Sequence, residues 1–564
     1  MNQPTPAIVS QEAVRRLPRV ALLLLCLAYV VPGFIGREPW KNADIAAFGD
    51  MFELASGHAS WLAPQLLGRP PEFDALLPYW LGAWAMQVAP HWMAPDFAAR
   101  IPFIVLLAAT LLTTWYAVYS LARSPQAQPV PFAFGGEANP VDYARAIADA
   151  GLLALLACLG LAQLSHETTP ALAQIAFTAL SFYGIAALAR QPALAGASLA
   201  IGLAGLALSG APAMAVLFGA GGLAITVFDG NSRDPSNGGA HVGRSVALLA
   251  GALLIAIVIA TSLDLWHWRV HQDTITRDWR PLGRLMLWFT WPAGPLALWT
   301  LWRWRRQLTS RHVALPLWFA TVAIVTTWVT PSSDRSLLLA LPALAALAAF
   351  SLPTLRRSVA ALIDWFTLLF FSSCAFVIWV VWVSMQTGVP PKPAANVARL
   401  APGFEPSFSL LAFAAALAAT VAWAWLVRWR TGRHRMAIWK SLVLPAGGAA
   451  LCWLLLMTLW LPALDYARGY SPLVRNVKKY IDSPGCVEVL GLTRAQLTAF
   501  RYHGAMELRN AERDTACPWL LAAAPLQPAM RMALDMHDWQ LVAVIRRPTD
   551  ANENVVLYRR AARR

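Results

Sequence analysis

Apolar side chains along this chain form long uninterrupted runs rather than short alternating patterns. Clear examples are segments 20–35, 101–121, 246–262, 337–352 and 442–461. A bilayer core of ~30 Å is crossed by about 20 apolar residues in an α-helix, and runs of this length recur over most of the sequence. The pattern predicts an all-α polytopic membrane protein.

Alternating the runs across a membrane predicts about 13 transmembrane helices. The approximate spans are 19–36, 101–122, 146–164, 171–189, 192–209, 212–228, 245–263, 283–303, 313–330, 336–353, 358–384, 407–427 and 441–461. If the chain starts inside, every strongly basic loop falls on one side, which is the cytoplasmic side in the usual distribution of Lys and Arg. The outer loops 37–100 and 264–282 are too long or too polar to be simple turns.

The pattern changes after residue 461, where shorter and more polar segments begin. Alternation and β-branched content predict four strands and two helices, at 487–490, 519–523, 541–545, 555–558, 473–481 and 494–502. We therefore expect a transmembrane domain at 1–461 and a small periplasmic α/β domain at 462–564. The Trp-rich run 76–88 is too short to span and favours a helix in the membrane interface.

Composition supports the membrane interpretation. Of 564 residues, 58% are hydrophobic and 13% are charged, which is more apolar surface than one soluble core encloses. A net charge of +15 would raise nucleic acid as a partner for a soluble protein, but here the basic residues cluster in short loops between apolar runs. We expect a multi-pass protein of the bacterial inner membrane that binds no nucleic acid.

The polar C-terminal segment contains Cys486 and Cys517. If this segment is periplasmic, the two thiols could pair as a disulfide, and the sequence leaves that open.

Ionisable residues gather in the first outer loop: Arg37, Glu38, Lys41, Asp44, Asp50 and Glu53. A carboxylate held just outside a helix end can act as general base on an acceptor hydroxyl. Asp44 is the first candidate for that role, and the alternative is a solvated loop carboxylate.

The short outer turn 165–170 places Glu167 between two apolar runs. Charged groups close to the membrane are costly and usually functional, so Glu167 is a second candidate, as base, metal ligand or partner of a sugar. The alternative is that it caps the following helix. A divalent cation could act through Glu167 or Asp44, although no ligand spacing requires one.

Arginines and tryptophans mark the outer segment 264–282. Arginine bonds two phosphate oxygens at once and aromatic rings offer faces to sugars, while the alternative is an aromatic belt at the interface. Arg335 precedes the run 337–352 and could reinforce a helix N-terminus that binds phosphate; helix capping by Ser333 or Asp334 is the commoner explanation.

Several short motifs occur in an order that resembles a known group of enzymes. They are Glu-Pro-Trp-Lys-Asn-Ala-Asp at 38–44, Trp-Leu-Ala-Pro at 61–64, Leu-Pro-Tyr-Trp-Leu at 77–81, Ala-Ala-Arg-Ile-Pro at 98–102, Trp-Phe-Thr-Trp-Pro at 288–292, Asp-Arg at 334–335 before Leu-Leu-Leu-Ala-Leu-Pro at 337–342, and Leu-Pro-Ala-Leu-Asp-Tyr at 461–466. Their order resembles the aminoarabinose transferase and protein mannosyltransferase group of GT-C glycosyltransferases.

The resemblance implies a polyprenyl-phosphate-sugar donor, a lipid or protein acceptor and an active site on the outer face. It implies Asp44 and Glu167 as catalytic acids, with Glu38 sharing or taking the role of Asp44. Donor phosphate would be held by basic residues: Arg269, Arg277 and Arg280, together with Arg335 and Lys41. A lysine that the group carries near residue 74 is absent here, where Glu-Phe-Asp-Ala-Leu stands at 72–76.

The sequence thus predicts a membrane glycosyltransferase. Two alternatives stay open at this point: a transporter or flippase of lipid-linked sugars, and an assembly subunit of the envelope that has the fold without the activity. No nucleotide-binding Gly-x-x-x-x-Gly-Lys-Ser/Thr motif is present, so ATP bound to this chain is not expected to drive either one.

Overall fold

The computed structural model describes residues 5–231, 235–266, 279–330, 333–432, 437–481, 485–511, 517–524 and 538–561. Helices dominate, as the long apolar runs predict. In chain order the α-helices are α1 Arg19–Val30, α2 Ala43–Ala55, α3 Leu77–Val88, α4 Pro95–Ala122, α5 Pro140–Ala157, α6 Leu161–Leu164, α7 Pro170–Ala187, α8 Pro192–Leu208, α9 Pro212–Asn231, α10 Pro235–Ser262, α11 Trp279–Phe289, α12 Ala293–Arg303, α13 Arg311–Val329, α14 Ser333–Leu338, α15 Leu341–Ser351, α16 Arg357–Thr387, α17 Pro391–Leu400, α18 Leu410–Thr431, α19 Lys440–Leu459, α20 Leu461–Arg468, α21 Ser471–Lys478 and α22 Arg494–Tyr502.

Within the described residues, eight helices are long and apolar enough to cross a membrane. The qualifying stretches are Pro95–Ala122, Pro170–Ala187, Pro212–Asp229, Val242–Ser262, Arg311–Val329, Arg357–Thr387, Leu410–Arg430 and Lys440–Leu459. Three shorter apolar helices, Arg19–Val30, Pro192–Leu208 and Leu341–Thr354, coincide with further predicted spans. The chain is a multi-span membrane protein, and the count of thirteen stays a prediction.

Two predicted spans are each divided into two helices. The run 283–303 forms α11 and α12, and Pro292 lies at the N-cap of α12. The run 336–353 forms α14 and α15, and Pro342 lies in the first turn of α15. Proline has no N–H to donate to the carbonyl four residues earlier, and its ring crowds that carbonyl. The apolar pattern continues through both breaks, so hydrophobicity alone does not reveal them.

The described contacts separate the chain into two compact units. One contains Met1–Phe34, Pro102–Phe376 and Ala414–Met457, and the other contains Ile35–Ile101, Val377–Phe413 and Thr458–Arg564. The second unit holds the first outer loop together with the C-terminal segment. The sequence-based division into domains at residue 461 stays a prediction.

A five-stranded sheet forms the centre of the C-terminal segment. Its strands are β1 Cys486–Leu490, β2 Glu507–Asn510, β3 Trp519–Ala523, β4 Trp539–Ile545 and β5 Val555–Arg560, in the order β2-β1-β3-β5-β4. β1 runs parallel to β2 and β3, whereas β5 is antiparallel to β3 and β4. The predicted α/β character is confirmed, and β2 is a strand that the sequence analysis missed. Cys486 and Cys517 form a disulfide, which answers the open question of their pairing.

The first outer loop shares its core with this sheet. Ile45 and Leu66 lie in the same buried cluster as Val487, and Arg501 Nε donates to Glu53 Oε1 at 2.9 Å. The ion pair links α2 to α22, so the helix that carries Asp44 is fixed against the C-terminal segment.

Candidate functional site

A buried ion pair organises the start of the first outer loop. Arg37 Nη1 donates to Asp44 Oδ2 at 2.7 Å, and the two side chains are 2% and 1% exposed. The backbone N–H of Trp40 donates to the same oxygen at 3.0 Å. Asn42 precedes α2 with a φ of 72°, which Asn adopts more readily than most residues. Asp44 therefore lies folded back against its own loop, beside a compensating cation.

Lys41 also binds a carboxylate in this structure. Its Nζ lies 2.9 Å from Asp550 Oδ2, and its backbone N–H donates to Arg468 O at 2.8 Å. The hydrogen bond from Lys41 lowers the pKa of Asp550 below its ordinary value. A donor phosphate would have to compete with Asp550 for this ammonium group.

Glu38 lies in a different environment from Asp44, only six residues away. Its side chain is 30% exposed, and its Oε1 accepts a hydrogen bond from Ser471 Oγ. Its Oε2 lies 3.6 Å from His503 Nε2, and neither of these two atoms has a hydrogen-bond partner among the described residues. Glu38 is thus the more accessible of the two candidate acids in this loop.

The hydrogen bonds around Ser471 define the tautomer of His503. Ser471 Oγ gives its proton to Glu38 and lies 3.4 Å from His503 Nδ1, so Nδ1–H is the donor in that second bond. Nε2 then presents a lone pair towards Glu38 Oε2. Burial lowers the pKa of His503 below its ordinary value, which favours the neutral ring. In that tautomer and protonation state, two proton acceptors face each other.

Asp465 binds the backbone of the same loop from α20. Its Oδ1 accepts from the N–H of Glu38 at 2.8 Å and from Trp40 Nε1 at 3.0 Å. Burial raises the pKa of the Asp465 carboxyl more than the bond from Glu38 lowers it. This carboxyl holds the loop backbone so that the Glu38 side chain points into a cleft.

The cleft has a volume of about 500 Å³. It offers acidic, hydroxyl and aromatic groups, which are the groups that bind sugar hydroxyls and stack on sugar rings. Its lining residues are Gly36, Glu38, Gly403, Phe404, Glu405, Ser407, Leu461, Pro462, Asp465, Tyr466, Ser471, Pro472 and Arg475. The rings of Phe404 and Tyr466 lie 5.6 Å apart between their centroids.

In the first unit, the structure brings Glu167 and Arg335 together. Arg335 Nη2 donates to Glu167 Oε2 at 2.8 Å and its Nη1 donates to Thr169 Oγ1 at 3.2 Å. Gln163 Nε2 donates to Glu167 Oε1 at 3.2 Å. The two charged side chains are 10% and 16% exposed. Glu167 thus holds a guanidinium group in place, and the hydrogen bonds found at its carboxylate are not those of a helix cap.

Other predicted ligands of the donor phosphate are less well defined. Arg280 is exposed on α11, while Arg269 and Arg277 lie outside the described residues. Arg335 lies in the six-residue helix α14 rather than at the start of one long helix. No group of three His, Cys, Asp or Glu side chains in the described part of the chain is arranged to hold a metal ion.

The sequence analysis assigns no role to Asp465, Ser471 or His503, although all three surround Glu38. Each is more than 400 residues away along the chain, as the separations of 427 for Asp465 and 433 for Ser471 show. Local patterns carry no information on such contacts. The one available signal was the segment 461–466, which contains Asp465 and contributes to the family resemblance.

Two solved structures share this fold. The crystal structure of ArnT from Cupriavidus metallidurans bound to undecaprenyl phosphate is 12% identical, with a TM-score of 0.63, and the likeness covers 96% of this chain and 98% of that one. The crystal structure of the same ArnT in the apo state is 13% identical, with a TM-score of 0.58 and the same coverage. No family model and no curated protein matches this sequence. The chain therefore has the same polytopic fold as this ArnT.

Proposed function

We propose that this chain is a glycosyltransferase that moves a sugar from a polyprenyl-phosphate-linked donor to a periplasmic or outer-leaflet acceptor, such as lipid A, a protein or another glycan. The observation that carries the proposal is the end-to-end likeness to ArnT bound to undecaprenyl phosphate. In this proposal the chain lies in the bacterial inner membrane, with its site and C-terminal domain in the periplasm.

A loop-one carboxylate accepts the proton of the acceptor hydroxyl. The family resemblance assigns this role to Asp44, whereas exposure and position in the cleft support Glu38. A general base must be ionised and within hydrogen-bond reach of the proton that it takes. Glu38 Oε2 and His503 Nε2, 3.6 Å apart, together form a place where one proton can be bound. Asp44 then positions Arg37 and the loop.

Basic groups stabilise the phosphate that leaves as the sugar is transferred. Fixed cations aimed at growing negative charge are worth more in a water-poor site than in water. Arg335 suits this task because Glu167 and Thr169 fix its guanidinium. Arg269, Arg277, Arg280 and Lys41 are the further proposed contacts, and a divalent cation is compatible with the same chemistry.

The test is transfer by the purified full chain, reconstituted in lipid with radiolabelled polyprenyl-phosphate sugars. Glu38→Gln, Asp44→Asn and Glu167→Gln each remove one acid, and Glu507→Gln is the control because Glu507 is an exposed acid outside the proposed site. Loss of the general base should lower turnover about 10²–10⁴-fold, with the control unchanged.

The outcomes separate the alternatives. Transfer that survives all three substitutions would contradict the proposed acids. A folded wild-type protein that transfers no sugar from any donor would contradict the enzyme itself and favour a flippase or an assembly subunit. Transfer lost in an Asp44→Asn protein that is still folded, but kept in Glu38→Gln, would assign the base to Asp44.

A further inference from the structure

Three helix ends in the first unit surround a second, smaller pocket. It lies between the C-terminal ends of α4 and α7 and the first residue of α13, with a volume of about 290 Å³. Its lining residues are Ser120, Leu121, Ser124, Pro125, Ala186, Ala189, Arg190 and Arg311. All three chain segments fall on the side that the distribution of basic loops predicts to be cytoplasmic.

The charge of this pocket is positive. Two of its eight lining residues are arginines, and none is acidic. Arg190 Nη2 donates to the carbonyl of Arg123, and Arg311 Nη2 donates to the carbonyl of Ile185. These carbonyl contacts fix the positions of the guanidinium groups without contributing a formal negative charge.

Burial and a neighbouring cation make this charge costly. Arg311 is only 6% exposed. Burial and the positive charge of Arg123 lower the pKa of Arg190 below its ordinary value. Arginine side chains in a partly desolvated pocket favour the binding of an anion that accepts hydrogen bonds from their guanidinium groups. The pocket's hydroxyls and its apolar wall of Leu121, Ala186 and Ala189 suit a polar headgroup whose lipid part continues into the membrane.

We propose that this pocket binds a phosphate group, carried by an anionic phospholipid of the cytoplasmic leaflet. Basic pockets between transmembrane helices on that side are suited to anionic headgroups, and the planar fork of arginine matches two phosphate oxygens. Arg190 and Arg311 are the ligands. The site is independent of the proposed sugar transfer, since its residues have no part in that chemistry.

The experiment uses the full chain in nanodiscs of phosphatidylcholine, with or without phosphatidylglycerol, and counts retained lipids by native mass spectrometry. Arg190→Gln should weaken retention of phosphatidylglycerol about tenfold, as loss of ~1.4 kcal/mol implies. Arg306→Gln is the matched control, because Arg306 is an exposed arginine of a neighbouring basic loop that does not line the pocket. Arg190 is the primary target, because it is less buried than Arg311 and its variant is less prone to misfold.

Inorganic phosphate distinguishes the source of the ligand. If inorganic phosphate displaces phosphatidylglycerol from the wild type but not from Arg190→Gln, the pocket is a phosphate site. Selective retention of phosphatidylglycerol over phosphatidylcholine assigns that site to lipid. Binding of inorganic phosphate with the same dependence on Arg190, but without lipid selectivity, supports the site and assigns it to a soluble phosphate compound. Equal retention of phosphatidylcholine and phosphatidylglycerol with no phosphate binding would overturn the proposal, as would equal losses in Arg190→Gln and Arg306→Gln.

Discussion

Asp44→Asn should destabilise the protein strongly, because it breaks an ion pair that water does not reach. Asparagine can still accept from Trp40 N–H, but it removes the negative charge that faces the buried Arg37 guanidinium. Removing one member of a buried pair costs about 3–5 kcal/mol. For a unit of this size, that corresponds to a fall in melting temperature on the order of 10 °C.

A matched pair elsewhere in the same unit isolates the effect of burial. Arg509 and Glu507 lie 2.6 Å apart but are 56% and 60% exposed, against 2% and 1% for Arg37 and Asp44 at 2.7 Å. Glu507→Gln removes an equivalent charge at a similar separation, and screening by water should leave the melting temperature nearly unchanged. The assay is thermal unfolding of the full chain in one detergent, followed by tryptophan fluorescence.

The double variant Arg37→Gln/Asp44→Asn completes the test. It removes both buried charges, so it should recover part of the stability lost in Asp44→Asn. Equal melting temperatures for Asp44→Asn and Glu507→Gln would contradict this prediction, as would a double variant less stable than Asp44→Asn. The same variants separate folding from chemistry: if the double variant is stable but inactive while Arg37→Gln alone transfers sugar, Asp44 takes part in the reaction itself.

Three further predictions concern the second unit and the topology. The double variant Cys486→Ser/Cys517→Ser should lose about 3–4 kcal/mol, because the bond closes a loop between residues 31 apart; a melting temperature equal to that of the oxidised protein would contradict this. His503 has a lowered pKa in the folded protein, so the unfolded chain takes up the His503 proton at a higher pH than the folded chain does. The stabilisation contributed by His503 is therefore complete above about pH 6.5 and is lost as the pH falls below that value. His503→Gln should reduce this acid sensitivity in melting curves, and an unchanged pH profile would count against it. Reporter fusions in loops 37–100 and 264–282 should both report the periplasm, and opposite faces would end the proposed site.

Most of the fold could be predicted from the sequence because it depends on local patterns. Runs of about 20 apolar residues identify spanning helices directly, and short apolar segments identify four of the five strands. The breaks between α11 and α12 and between α14 and α15 could not be read from hydrophobicity, since Pro292 and Pro342 interrupt the backbone without interrupting the apolar pattern. Strand β2 was missed because its four residues, Glu-Leu-Arg-Asn at 507–510, show too little apolar character.

The candidate site also has a part that local patterns predict and a part that they do not. Glu167 and Arg335 were each named on local grounds, and the structure joins them across 168 residues. The surroundings of Glu38 could not be anticipated, because Asp465, Ser471 and His503 approach it from the far end of the chain. Sequence thus identifies which side chains can do chemistry, whereas their partners decide which of them are available for it.

Glu38 and Asp44 show how partners separate two similar acids. Asp44 faces Arg37, so the pair is neutral as a whole and can be buried at tolerable cost. The Glu38 carboxylate contacts Ser471 and His503, and its backbone N–H donates to Asp465; none of these three residues is an arginine or a lysine. A partly exposed carboxylate can accept a hydrogen bond from an incoming hydroxyl group. If the loop activates the acceptor hydroxyl, the ion pair between Arg37 and Asp44 keeps the loop rigid and Glu38 supplies the oxygen that takes the proton. Glu38→Gln should therefore lower turnover without lowering the melting temperature.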